Sequence, residues 1–241
     1  MKSVVVILAG GRGTRIRHLL PELPKPLAPV NGKPFLEWVI EFLSKQQLSH
    51  IIFSTGYLAD QIKNFVVKKN KDGMKLQCIE ETTPLGTAGG VLHALDYSNV
   101  DYDKALILNG DSLTLTDLKP LFKALLDDSV DVAMLGIKVQ DAERYGTLLV
   151  NDGGCVAGFK EKQPGAGLIS AGIYLFRKNI LDQLPRNTNL SFEMDVFPEM
   201  LSRSIRIKVI EVEAPFIDIG TEESLGAATA FIQKNYKNFL S

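Results

Sequence analysis

Near the start of this chain, three glycines and two arginines fall within six residues: Gly10-Gly11-Arg12-Gly13-Thr14-Arg15. Glycine lets the backbone come close to a ligand and turn its amides towards it. Such a concavity suits a triphosphate, and Arg15 adds a planar fork of donors for phosphate oxygens. Beyond an eight-residue spacer from Arg15, Pro24-Lys25-Pro26 sets one lysine between two prolines that restrict the backbone on both sides. A rigidly presented ammonium is suited to clamp a phosphate whose charge grows during transfer. Two aspartates also sit at the ends of apolar runs, in Asn109-Gly110-Asp111 and Phe216-Ile217-Asp218. Mg²⁺ prefers carboxylates together with phosphate oxygens and keeps several waters, so two acids from distant segments fit its needs. Each piece alone is compatible with a plain surface turn. Their combination points to one phosphate-handling centre.

The loop is not a Walker loop, because no Gly-Lys-Ser/Thr follows. Nor does it meet the Gly-x-Gly-x-x-Gly spacing of dinucleotide binders, since position 16 is Ile, which disfavours an oxidoreductase.

The elements that must position these residues are legible in the apolar pattern. Val4 to Ala9 has the length and β-branched content of a buried strand, and it delivers Leu8 and Ala9 into the glycine loop. Pro34 to Gln47 carries a helical stripe, Ile51 to Thr55 reads as a strand, Ala59 to Lys69 as a helix, and Leu76 to Glu80 as a strand. A helix opens at Ala88, and Ala105 to Asp111 reads as a buried strand with an acid at its tip. This alternation argues for βαβ units and a mostly parallel central sheet flanked by helices. Ligands of such sheets bind outside the strand C-termini, where the glycine loop and Asp111 would both lie. Further on, strands are read over Asp131–Val139, 146–150, 155–161, Ile169–Phe176 and 205–211, and a helix over 224–239 closes the chain. No repeat or linker divides the 241 residues, so residues 1–241 are expected to form one α/β domain.

Composition narrows the class. A hydrophobic share of 45% and a charged share of 23% are those of a soluble globular protein, large enough to bury a core without metal or disulfide. A formal net charge of -1 gives no basic stripe for nucleic acid. No apolar segment reaches the length of a membrane span, and the N-terminal run is too short for a secretory signal, so a cytoplasmic enzyme is expected. Cys78 and Cys155 are read as reduced thiols, and His18, His50 and His93 share no ligand spacing.

Taken together, Gly10-Gly11-x-Gly13-x-Arg15 and Pro24-Lys25-Pro26 resemble the signature of the sugar-1-phosphate nucleotidylyltransferases. The spacer Ile16 to Leu23 and the segment Asn31 to Glu37 look more like the D-glycero-α-D-manno-heptose 1-phosphate guanylyltransferase branch than the commoner members. The resemblance implies a Rossmann-like fold and Mg²⁺-assisted attack of a sugar 1-phosphate on the α-phosphorus of a nucleoside triphosphate. It implies catalytic roles for Arg15, Lys25 and Asp111, and metal binding by Asp111 and Asp218. The nucleotide would lie along Leu8, Ala9, Gly10, Gly11, Arg12, Gly13, Thr14, Arg15, Lys25, Asn109, Gly110 and Asp111. Its base would meet Glu81, Pro84, Gly86 and Thr87, and the acceptor-only carboxylate of Glu81 suits the N–H donors of guanine, hence GTP. Gly146, Glu161, Lys162, Ser170, Ala171, Gly172 and Glu193 look like sugar-phosphate contacts, although Ser170 stands where relatives commonly have Asn. Residues 1–115 would mainly serve the nucleotide and 116–241 the sugar phosphate and metal. The alternatives are a uridylyl-, thymidylyl- or mannose-1-phosphate guanylyltransferase, and an inactive nucleotide-sugar-binding subunit. Neither nucleic acid nor membrane is an expected partner, and a homo-oligomer is compatible with the sequence.

Overall fold

The computed structural model describes residues 2–70, 73–160 and 164–239. The β-branched N-terminal run forms β1 (Ser3–Leu8), and a short hairpin, β2 (Pro29–Val30) and β3 (Lys33–Pro34), leads into α1 (Phe35–Lys45). The alternation continues through β4 (His50–Thr55), α2 (Ala59–Lys69), β5 (Lys75–Glu80), α3 (Gly86–Tyr97) and β6 (Lys104–Asn109). Next come β7 (Ser112–Thr114), α4 (Lys119–Ala124), β8 (Val132–Val139), β9 (Thr147–Val150), β10 (Val156–Lys160) and β11 (Gly167–Arg177). The chain ends with α5 (Lys178–Leu181), α6 (Phe197–Ser202), β12 (Ile207–Val212), β13 (Phe216–Asp218) and α7 (Glu222–Lys234).

The strands β5, β4, β1 and β6 lie side by side and run parallel, as the sequence pattern predicts. Antiparallel β11 extends the sheet beyond β6, and β8 and β12 follow on its other edge. Along β1, Val5 and Ile7 join a core with α1, α2, α4 and α7, whereas Val4 and Val6 join a second core with α3, α5 and α6. Burial of both strand faces explains the continuous apolar runs.

β11 is where the two halves meet. Its residues Ile173 to Arg177 pair with β6, and Ile169 pairs with Thr147 of β9, while Ser170 to Gly172 pair with neither. The register against β8 also shifts between Ser170 and Tyr174. Gly172 makes this bulge possible: its φ is 70°, and a Cβ there would stand 2.5 Å from Asn109 Nδ2.

Three boundaries differ from the sequence expectation. β6 stops at Asn109, and Gly110 and Asp111 form a turn into β7 because the Gly110 amide donates to Leu8 O at 2.9 Å. The last helix begins at Glu222 under a Thr221–Ser224 capping box and ends at Lys234, before a 3-10 turn over Tyr236–Asn238. The short helices α4, α5 and α6 carry too few residues to register as a stripe.

The second core centres on Tyr174, Phe176, Phe192 and Phe197, with Phe197 5.0 Å from Tyr174 and 5.6 Å from Phe192 between ring centroids. Phe197→Ala is expected to cost about 3–5 kcal/mol, seen as a lowered urea midpoint. A loss below about 1 kcal/mol would mean that this cluster is loosely packed.

Candidate active site

The C-terminal ends of the parallel strands open onto a cleft of about 640 Å³, within the range of small-molecule sites. Backbone hydrogen bonds tie these ends together: Ala9 N to Ser54 O at 2.8 Å, Tyr57 N to Gly10 O at 3.2 Å, and Glu81 N to Thr55 O at 2.8 Å. Leu8, Ala9, Gly10, Gly11, Arg12 and Gly13 form one wall, joined by Lys25, Asn109 and Asp111. Glu81, Pro84, Gly86 and Thr87 form the other, with Glu193 closing it.

Within the glycine loop, each glycine has a different reason. Gly11 faces open space, with nothing within 4 Å of a notional Cβ. Gly13 adopts the left-handed conformation at φ 56° and caps the 3-10 turn Thr14–Ile16. Its bare Cα lies against the Lys25 stem, 3.2 Å from Lys25 Cβ to a notional Cβ. Lys25 opens a 3-10 turn with Pro24 extended before it, and its ammonium pairs with the Asp111 carboxylate. The spacing read from sequence thus brings loop, lysine and acid together.

Glu81 sits in a seat made of glycines. A Cβ at Gly10, Gly56 or Gly90 would lie 3.4, 2.9 or 3.1 Å from one of its carboxylate oxygens. Burial pushes its pKa up, against the pull of the Leu85 amide, which donates to Oε2 at 3.2 Å. Gly10 therefore makes room for a side chain as well as for a ligand. Gly86 lines the cleft, and where its Cβ would stand it packs on Asn189 and Leu190; Leu190 O accepts from Ala88 N at 2.8 Å.

Thr87 and Glu193 link the halves. Thr87 Oγ1 accepts from Phe192 N at 2.9 Å and lies 3.4 Å from Glu193 Oε2, which also accepts from Ser191 Oγ at 3.0 Å. Ser191 caps the π-helical turn Phe192–Val196 that carries Glu193. On the bulge, Ser170 Oγ donates to Tyr174 OH at 2.9 Å and accepts from Gly172 N at 3.2 Å, while Ala171 is buried. Gly146 is exposed beside Lys160 O. Glu161 and Lys162 lie outside the described residues.

The two acids are neighbours along the backbone. β7 pairs with β13, Ser112 opposite Asp218, and Ile219 N donates to Asp111 O at 2.9 Å. Their carboxylates have separate partners. Asp111 lines the cleft beside Lys25, whereas Asp218 accepts from Arg144 Nη2 at 2.7 Å, from Gly220 N at 2.9 Å and from Tyr145 OH. Arg15 stands at the rim next to this second group, its Nη2 3.5 Å from a notional Cβ at Gly220. Thr14, Arg15 and Gly110 do not line the cleft itself, and Gly110 packs instead on the Leu8 backbone. Among the described residues, no group of three or more His, Cys, Asp or Glu side chains could hold a metal.

Residues 4–235 match the family described as nucleotidyl transferase. The chain belongs to that family. Among nucleotidyl transferases, it is 33% identical to D-glycero-alpha-D-manno-heptose 1-phosphate guanylyltransferase of Aneurinibacillus thermoaerophilus, over 95% of this chain and 97% of the relative. The enzyme of the same name from Campylobacter jejuni is 34% identical, over 90% and 95%. The crystal structure of HddC from Yersinia pseudotuberculosis complexed with GMP-PN is similar with a TM-score of 0.84 and 36% identity, covering 95% of this chain and 99% of that one.

Sequence reasoning overlooked Gly56 and Tyr57, which line this cleft directly after β4. Their place after a buried strand was the available signal. Arg144 lies in a turn and carried none. Because a Cβ at Gly56 would press on Glu81, Gly56→Ala is expected to weaken nucleotide binding about tenfold or more, measured by calorimetric titration. Unchanged affinity would separate the seat of Glu81 from nucleotide binding in this transferase.

Proposed function

We propose that this chain transfers a guanylyl group from GTP to D-glycero-α-D-manno-heptose 1-phosphate, with Mg²⁺ as cofactor, forming a nucleotide-sugar and pyrophosphate. The observation that carries this reading is the half-buried Glu81 carboxylate in its glycine seat, across one cleft from the Lys25–Asp111 pair. Full-length similarity to two heptose 1-phosphate guanylyltransferases supports the acceptor.

Guanine presents two N–H donors on its Watson–Crick edge, and a carboxylate offers only acceptors. The Leu85 amide takes one lone pair of Glu81 and leaves the others for the base. The glycine loop from Gly10 to Gly13, with Arg12, would face the triphosphate, and Arg15 stands at the rim beside Asp218. Lys25 neutralises charge that builds on the transferred phosphate. An oxygen of the acceptor phosphate bonds to the α-phosphorus as the bond to the β-phosphate bridge breaks and pyrophosphate leaves. No protein nucleophile takes part, so the protein contributes positioning and charge stabilisation.

The donor set fits a divalent cation bound largely by substrate and water. Asp218 ends β13 and Asp111 directly precedes its partner strand β7, each is already faced by a cation, Arg144 or Lys25, and they would supply hard oxygen ligands. When bound, Mg²⁺ would offset negative charge on the phosphates. Glu193, oriented by Thr87 and Ser191, accepts from sugar hydroxyls. Gly146, Glu161, Lys162 and the bulge Ser170-Ala171-Gly172 border the acceptor. We place the reaction in the cytoplasm, the source of both substrates. No helix among the described residues is long and apolar enough to cross a membrane.

Three measurements test this reading. Glu81→Gln is expected to lower the preference for GTP over UTP in kcat/KM about tenfold to a hundredfold. GTP affinity of the unmodified chain should also fall with pH, beginning above the ordinary carboxylate range, because burial raises the Glu81 pKa and the protonated acid loses an acceptor. A pH-independent preference for ATP would exclude the guanine assignment. Asp218→Asn should keep the fold but abolish Mg²⁺-dependent pyrophosphate release, and retained turnover would remove Asp218 from the metal site.

A further inference from the structure

Arg144 lies in the turn between β8 and β9, and its pairing with Asp218 is uneven. Asp218 Oδ1 accepts from both Arg144 Nη2 and Gly220 N, and Tyr145 OH engages Oδ2. Arg144 keeps more donors than it uses: its Nε is buried and finds no acceptor among the described residues. A buried donor of this kind calls for a partner.

Charge points the same way. Arg15 Nη2 and Arg144 Nη2 lie 3.5 and 3.6 Å from where a Cβ at residue 220 would stand, and Asp218 Oδ1 lies 2.6 Å from it, so two guanidinium tips converge on the place that one carboxylate oxygen now occupies. Among the described residues one carboxylate, that of Asp218, is bonded there, whereas Lys25 and Asp111 balance one for one. Arginine stays charged at any working pH, so the excess is permanent. A planar fork with surplus positive charge matches the paired oxygens of a phosphate.

We propose that Arg144 binds the phosphate of the acceptor and is held ready by Asp218 until that carboxylate turns to a divalent cation. This rests on the reading of Asp218 as a metal ligand. As Asp218 turns, Arg144 exchanges a carboxylate for a phosphate oxygen beside Arg15, so neither guanidinium is left unpaired. Metal and acceptor then strengthen each other's binding, as linkage requires. The acceptor would otherwise have to compete with the Asp218 carboxylate for Arg144.

Calorimetric titration of D-glycero-α-D-manno-heptose 1-phosphate into the full chain, in Mg²⁺ and in EDTA, tests this. The unmodified chain should bind it more tightly in Mg²⁺. Arg144→Gln should lower that Mg²⁺-supported affinity about tenfold to a hundredfold, with GTP affinity as the internal control. Arg144→Lys should recover only part, because a point charge replaces a fork; it also carries the test if thermal melts show Arg144→Gln to be misfolded. Asp218→Asn has the opposite sign: in EDTA it should bind the sugar phosphate more tightly than the unmodified chain, since Arg144 is released. Unchanged acceptor affinity in both Arg144 variants overturns the proposal. So does an Asp218→Asn protein that has lost metal-dependent turnover but binds no more tightly in EDTA. Metal-dependent turnover retained by Asp218→Asn instead overturns the metal reading, and this proposal with it.

Discussion

The parallel pairing of β1 with β4 on one side and β6 on the other is the constraint from which the site follows. It places Gly10, Gly56 and Asn109 at the same edge, next to Glu81 at the end of β5. A slip of one residue would swap the side chains of β1 between the two cores. Apolar pattern alone is a weak guide to register here, because both faces are buried. The loops supply the missing information, through the Gly110 amide on Leu8 O and the Ala9 amide on Ser54 O. The edge that carries the chemistry thus also helps to set the sheet.

A protein that handles phosphates must fold in their absence. This chain meets that requirement in part by pairing two basic groups of the site internally, Lys25 with Asp111 and Arg144 with Asp218. The pairs are partly buried, and removing one partner from such a pair costs more than the pair itself contributes. A net charge of -1 for the whole chain is consistent with a site whose affinity is local and does not depend on a global field.

Much of this arrangement was legible in the sequence. The strand–helix alternation pointed to β1, β4, β5 and β6 and to the edge on which Gly10 to Gly13 and Asp111 lie, and Pro24 and Pro26 announced the fixed backbone at Lys25, whereas the short hairpin β2–β3 went unread. What stayed hidden has physical reasons. A glycine's neighbour is a tertiary fact, so the sequence alone does not show that Leu190 stands beside Gly86 and Asn109 beside Gly172. α4 and α6 span under two turns, too little for a period of 3.6 to show. The partners of Asp218 arrive from a turn more than seventy residues upstream, and neither a periodicity nor a spacing connects Arg144 to that acid.

The seam at Asn109 and Gly172 has a practical consequence for enzyme redesign. Any side chain at position 172 would need both a disfavoured backbone angle and the room now taken by Asn109, so this point ties the geometry of the two halves to one another. Beyond it, the hairpin of β9 and β10 meets β11 through a single register pair, Ile169 with Thr147. Libraries aimed at new sugars can therefore vary the exposed positions of the hairpin while holding position 172 and the buried Leu148 and Val156 constant.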